Sequence, residues 1–340
     1  MRFSGCIIIL MIVFCGGLQA ASFGLTVNDC GISFGNSPFL NGIRINAVDR
    51  YVENVNGINI TLWTPRDNPD FEMNGLAIGL VAPEFNHLNG LAVGGVAVAC
   101  DDIAGIAIGG LGVAGDRAAG IAIGGLGVGG SDFRGIVAGG LGVGGNQVSG
   151  LMVGGLGAGA DRIKGIAIAG LGAGADEING VAIAGLGAGA DEINGVAIAG
   201  LGAGADRLKG LAIGGLAAGA GTVSGVLIGG LAVGAEYIDG IAIGGIGVGG
   251  KHVGWLSIGG MAIVGKRIDG ISIAGLGIEG YRLKGFKIAP YCRARRQMVG
   301  VSIGLLNIAR KLKGLQIGVL NYAGNNPAPF KLLPLFNYHN

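Results

Sequence analysis

The chain has 340 residues and 76 of them are glycine, about 22% where ordinary usage is about 7%. Aromatic residues make up 6% and charged residues 13%, the formal net charge is +2, and the mean hydropathy is +0.63. This much glycine excludes a helical bundle and most ordinary enzymes, the lack of a three-residue glycine phase excludes collagen, and the positive hydropathy excludes disorder. The near-neutral whole-chain balance gives no footprint for nucleic acid or for an acidic membrane surface.

In chain order, residues 1–21 read as a secretory signal. Arg2 supplies the positive start, Cys6 to Phe14 the apolar stretch, and Leu18-Gln19-Ala20 a small-residue cleavage site. The bland alternative is a buried N-terminal strand. Phe14 before Cys15 is too bulky for a lipid-attachment box. Elsewhere in the chain the longest run without a polar residue is Ile103 to Gly115, 13 residues, short of the ~20 that a helix needs to cross a bilayer. After cleavage Cys30, Cys100 and Cys292 remain, with no zinc or redox spacing.

The dominant feature is a 15-residue period. Glycine stands at 75 and at every fifteenth position to 240; Trp255 takes the next place, and Gly270, Gly285 and Gly300 resume the phase. The register extends more weakly to Gly42 and Gly57, and to Gly314 one residue early. Each repeat divides into fives, as in Gly-Ile-Ala-Ile-Ala, Gly-Leu-Gly-Ala-Gly and Ala-Asp-Glu-Ile-Asn from Gly165. Alternation within a five is a strand signature, and the step of three between Ile168 and Leu171 asks for a corner at Gly170. The expectation is an all-β, three-sided parallel β-solenoid with 15-residue coils, capped at both ends. Coils stacked ~4.8 Å apart, sixteen to eighteen of them, would make a rod on the order of 80 Å long. Cys100 and Cys292 would then lie about 60 Å apart and could not form a disulfide.

On this reading Ile166, Ile168, Leu171 and Ala173 point inward, while Ala167, Ala169, Gly172 and Gly174 make flat Ala/Gly outer faces. The third side carries the charge, as in Asp161-Arg162-Lys164, Asp176-Glu177-Asn179 and Asp206-Arg207-Lys209. A solvated edge is the plain reading of that stripe. The aspartates resemble calcium-binding β-roll repeats, but those recur every nine residues and these every 15. Ranks of threonine for ice binding are missing. His87, His252 and His339 stand apart, and stacked Asp176 and Asp191 form no cleft of the kind that polysaccharide-cleaving β-helices use. No catalytic, cofactor-binding or metal residue is nominated.

The ends differ from the middle. Residues 22–72 read as an N-terminal cap with the first irregular coils, 73–322 as the repeat array, and 323–340 as a C-terminal cap. Arg293-Ala294-Arg295-Arg296 reads as a basic loop, with a solvated role favoured over contact with phosphate or lipid head groups. Gly300-Val301-Ser302-Ile303-Gly304-Leu305-Leu306-Asn307-Ile308, its echo from Gly314 to Tyr322, and Asn325-Asn326-Pro327-Ala328-Pro329-Phe330 resemble the closing segment of bacterial surface repeat-containing proteins. The resemblance covers about residues 300–340. It implies export to a Gram-negative envelope and carries over no functional residue.

The functional expectation is a non-enzymatic solenoid at the cell surface, associated with the outer membrane or in the periplasm. It would act as a structural or adhesive scaffold on an envelope or surface component, or self-associate through the Ala/Gly faces, without cofactor or nucleic acid. The alternatives are an outer-membrane β-barrel, because 11 apolar residues separate the polar tetrads, and a glycan-binding or glycan-cleaving β-helix.

Overall fold

The computed structural model describes residues 22–68 and 70–340; the expected secretory signal lies outside them. The described chain is all β, a parallel β-solenoid of about 20 turns. That exceeds sixteen to eighteen, because parallel pairing already begins at Cys30–Phe34 against Phe39–Asn46. Two compact units divide the chain, residues 1–150 and 151–340.

The first unit opens with an antiparallel pair, Phe23–Val27 on Cys30–Phe34. Coils then stack in parallel, and from Glu72–Gly79 onward each residue pairs with the one 15 further on, as Leu88 with Ile103 and Ala118 with Phe133. Its early coils have a polar interior. Arg44, fully buried, donates to Asp49 at 2.9 Å and to Asn59 at 3.3 Å. Burial pulls the guanidinium pKa down and Asp49 opposes that pull.

The second unit repeats the offset of 15 from Gly157–Ala169 through successive coils. It ends with Leu332–His339 laid antiparallel on Leu312–Ala323, closing an edge that would otherwise offer unpaired backbone. Beneath that strand lies a run of buried asparagines. Asn307 donates to Asn321 at 2.8 Å, Asn326 to Asn337 at 2.7 Å, and Asn337 to the Asn321 carbonyl at 3.1 Å.

Three corners define a coil. At Gly180 the backbone takes φ +148°, and a Cβ there would lie 2.0 Å from the Gly165 carbonyl oxygen one coil below. A second corner falls at Gly185 and Leu186, between Gly172–Ala184 and Gly187–Ala199. A third falls at Asp176 and Asp191, where the ladder skips one residue between Ala175↔Ala190 and Glu177↔Glu192.

The inward and outward rows differ from the expectation on the first side. Ala167 and Ala169 are buried, whereas Ile166, Ile168 and Leu171 are 42%, 38% and 46% exposed. The corner glycine explains the inversion. Ile178 points in and Asn179 out, but the place of a Gly180 side chain is aimed along the stack at the coil below. One residue is spent neither inward nor outward, so the apolar residue after it faces solvent and Ala182 faces the core. Ala173 is buried as expected, and the third side adds Ile163, Ile178, Ile193 and Leu208 to the core. Sides of five residues, about 16 Å long, enclose one branched side chain per coil and three small ones.

The narrow core adjusts coil by coil. Phe133 is buried against Ala118, its partner in the ladder, and its ring covers the place a Cβ would take at Gly130 and at Gly145. In the late coils of the second unit the place of Ala182 is taken by Ser257, Ser272, Lys287, Ser302 and Gln316, all buried. The Lys287 ammonium donates to the Gly270 carbonyl and to the Ser272 hydroxyl, both at 3.0 Å. Burial lowers its pKa to about 8.

Candidate functional site: the outer faces

The corner after the first side carries a row of large apolar residues. In the second unit it holds Leu156, Leu171, Leu186, Leu201, Leu216 and Leu231, each 46–49% exposed. From Leu171 on, each of these corner amides donates to the carbonyl of the corner residue one coil earlier, as Leu171 to Leu156 at 2.8 Å and Leu231 to Leu216 at 2.7 Å. The first unit repeats the row with Leu111, Leu126 and Leu141. Isoleucine and valine line the first side beside it. The Ala/Gly surface expected on two sides is reduced to the second, where Gly172, Gly174 and Gly187 have room for a Cβ at 3.5–3.9 Å from the nearest atom. Those glycines keep a surface flat without being required by the backbone.

The third side is polar, and in the first unit Asp102, Arg117 and Asp132 alternate in sign along it. Glu72, His87, Asp102, Arg117 and Asp132 are successive ladder partners. Parallel in-register stacking would set like charges one strand spacing apart, which is unfavourable, and alternation turns the same spacing into pairing. Asp102 receives Arg117 through two nitrogens, at 2.5 and 2.7 Å, and lies 3.1 Å from His87 Nδ1. Small Ala104 and Ala119 leave a cleft of about 440 Å³ beside this row.

The cleft is lined by a His–Asp pair, by Arg117 and Arg134, and by the further carboxylates of Glu72 and Asp132, with no serine, threonine or cysteine among the lining residues. Cys100 is buried, its Sγ donates to the Asp102 carbonyl at 3.1 Å, and burial pushes the thiol up to about 12. Asp176 and Asp191 sit exposed at the third corner. Beside them Glu192 takes Arg207 at 3.2 Å and Lys209 at 3.1 Å, and Lys209 above all holds its carboxyl below the usual range. Among the described residues, no group of three or more His, Cys, Asp or Glu side chains converges as metal ligands would. Cys30, Cys100 and Cys292 are free thiols.

The late coils of the second unit break the alternation. Residues 251–340 hold 13 Lys and Arg and 2 Asp and Glu, a local +11, so residues 1–250 with 10 and 19 carry −9. The whole-chain value of +2 conceals this division, and a windowed charge count would have found it. Arg293 to Arg296 do not form a loop. They lie within the strand Tyr291–Ala309, where alternation turns Arg293 and Arg295 outward around buried Ala294, and the ladder's register shift leaves Arg296 exposed as well. Trp255, 73% exposed, stands at the corner between this basic side and the apolar first side. Comparison with protein-family models, with curated proteins and with solved structures finds no match to this chain, so its outer faces are what speak to function.

Proposed function

We propose that the chain is a non-enzymatic, exported scaffold of the cell envelope or surface that works through its outer faces. The observation that carries this reading is the leucine corner row with its neighbouring isoleucines, half-exposed coil after coil. Monomeric proteins rarely leave contiguous apolar surface of this extent uncovered, and where they do it is an interaction surface. The N-terminal pattern of Arg2, an apolar stretch and Leu18-Gln19-Ala20 supports export. In the coils before residue 251 the charged third side supports solubility away from the contact.

The test is fractionation of Gram-negative cells expressing the full chain, with the mature N-terminus read by mass spectrometry. The expected result is processing near Ala21 and recovery in the envelope fraction. Changing Leu186, Leu201 and Leu216 to serine should release the processed protein from that fraction without unfolding it. An unprocessed chain in the cytoplasm would overturn the proposal.

A further inference from the structure

We propose that the late coils of the second unit, residues 251–323, are a docking site for an anionic lipid bilayer; this names the partner for the envelope reading above and rests on it. The third side of these coils carries exposed Lys266, Arg267, Arg282, Lys284, Lys311 and Lys313, and Asp269 is the acid among them. Arg267 and Arg282 are direct ladder partners. Like charges are thus stacked about one strand spacing apart, whereas Asp102, Arg117 and Asp132 of the first unit alternate in sign at the same spacing. Part of the charge is answered internally: Lys251 meets Glu236 at 2.7 Å, Arg267 meets Asp269 at 2.7 Å, and Arg295 meets Glu279 at 2.8 Å. Lys266, Arg282, Lys284, Lys311 and Lys313 form no ion pair among the described residues. An unanswered stack of this kind is neutralised by an anionic surface.

The chemistry next to it selects a bilayer over a polyanionic chain. Across the corner, on the first side of the same coils, Ile271, Ile273 and Phe286 are 48%, 38% and 36% exposed. Trp255 marks the corner itself. It holds φ +59°, a left-handed conformation costly for a bulky residue, and presents its indole to solvent. A nucleic acid or an acidic polysaccharide would engage the basic rows and leave this apolar flank wet. At a bilayer the flank enters the boundary of head groups and acyl chains, the indole sits at the interface, and the long basic side chains reach the phosphates.

The experiment is vesicle flotation of the purified mature chain on phosphatidylcholine alone and on phosphatidylcholine with 30% phosphatidylglycerol, at low and high salt, with heparin as a soluble competitor. The expected result is at least tenfold stronger partitioning onto the anionic vesicles, lost at high salt as screening predicts. Lys311→Gln/Lys313→Gln should weaken it several-fold, and so should Trp255→Gly, with unchanged circular dichroism. In a Trp63→Phe background, Trp255 emission should shift to the blue on anionic vesicles. Equal binding to both vesicle types, or full binding by both variants, overturns the inference. So does heparin binding without vesicle binding, which would assign the rows to a polyanion. Processing and envelope recovery with no vesicle binding would remove this inference and leave the proposed function standing.

Discussion

Trp255 takes with φ +59° the corner place that glycine fills in the coils before it, and Gly270, its successor on that corner, follows with φ +73° instead of the +129° to +148° found at the anchors from Gly75 to Gly225. A Cβ on Gly270 would lie 2.1 Å from the Trp255 carbonyl oxygen. The perturbation thus passes along the stack and interrupts the strands on both coils, at Gly247–Val253 and Leu256–Gly259 and at Ala262–Ile268 and Ile271–Ala274. Trp255→Gly should raise stability by up to about 1 kcal/mol, the left-handed strain released less the entropy that glycine adds to the unfolded chain. Gly270→Ala should lose about 2 kcal/mol or more. Urea melts of the two variants check this; destabilisation by Trp255→Gly would show that the indole packs instead of protruding.

Glycine at a corner and glycine on a face should respond in opposite ways to the same methyl group. Gly180→Ala places a Cβ at 2.0 Å from backbone oxygen in a backbone at φ +148°, and the expected loss is about 3 kcal/mol or more. Gly174→Ala meets its nearest atom at 3.5 Å and should be neutral or stabilising by about 0.5 kcal/mol. Equal melting temperatures for the two variants would refute the corner geometry.

Lys287 makes stability depend on pH with a definite sign. Its folded pKa of about 8 lies below the ordinary 10.5, so below pH 8 the folded chain holds a buried ammonium at a penalty of about 3 kcal/mol. Between pH 8 and 10.5 the unfolded chain binds more protons, and this residue's contribution to stability rises with pH. Lys287→Met should therefore be the more stable protein at pH 7, and the gap should close towards pH 10.5. The Ser272 hydroxyl retains Ser257 at 2.9 Å, and the Gly270 carbonyl retains the Phe286 amide. Thermal melts of both proteins across that range measure the difference; the opposite trend from Cys292, whose thiol burial pushes up to about 11, is present in both. A gap that widens with pH would contradict the assignment.

Phe133 and Ala118 form a large and small pair on adjacent coils. Phe133→Ala should cost about 3–5 kcal/mol through the cavity it leaves. Ala118→Leu alone should cost about 1–3 kcal/mol by overpacking, and the two together should cost less than their sum. An additive double mutant, by chemical denaturation, would argue against direct packing of the pair.

The repeat, the all-β class and the corner glycines were legible in the sequence because each follows from local chemistry: a 15-residue period, two-residue alternation, and residues whose Cβ the backbone excludes. The outward direction of Ile166, Ile168 and Leu171 was not. Alternation tells neighbours apart but does not say which row is inside, and that phase depends on the direction of the corner residue, which Gly180 shows only through the carbonyl of Gly165 beneath it. The basic side of the late coils was spread over residues 251 to 313 in sequence, where the whole-chain balance cancels it. The ladder brings residues 15 apart to one strand spacing and makes a row of them. Sequence by itself determined that this chain coils and where it bends. Tertiary structure decided which side chains meet the solvent, because facing is set where a coil lies on its neighbour.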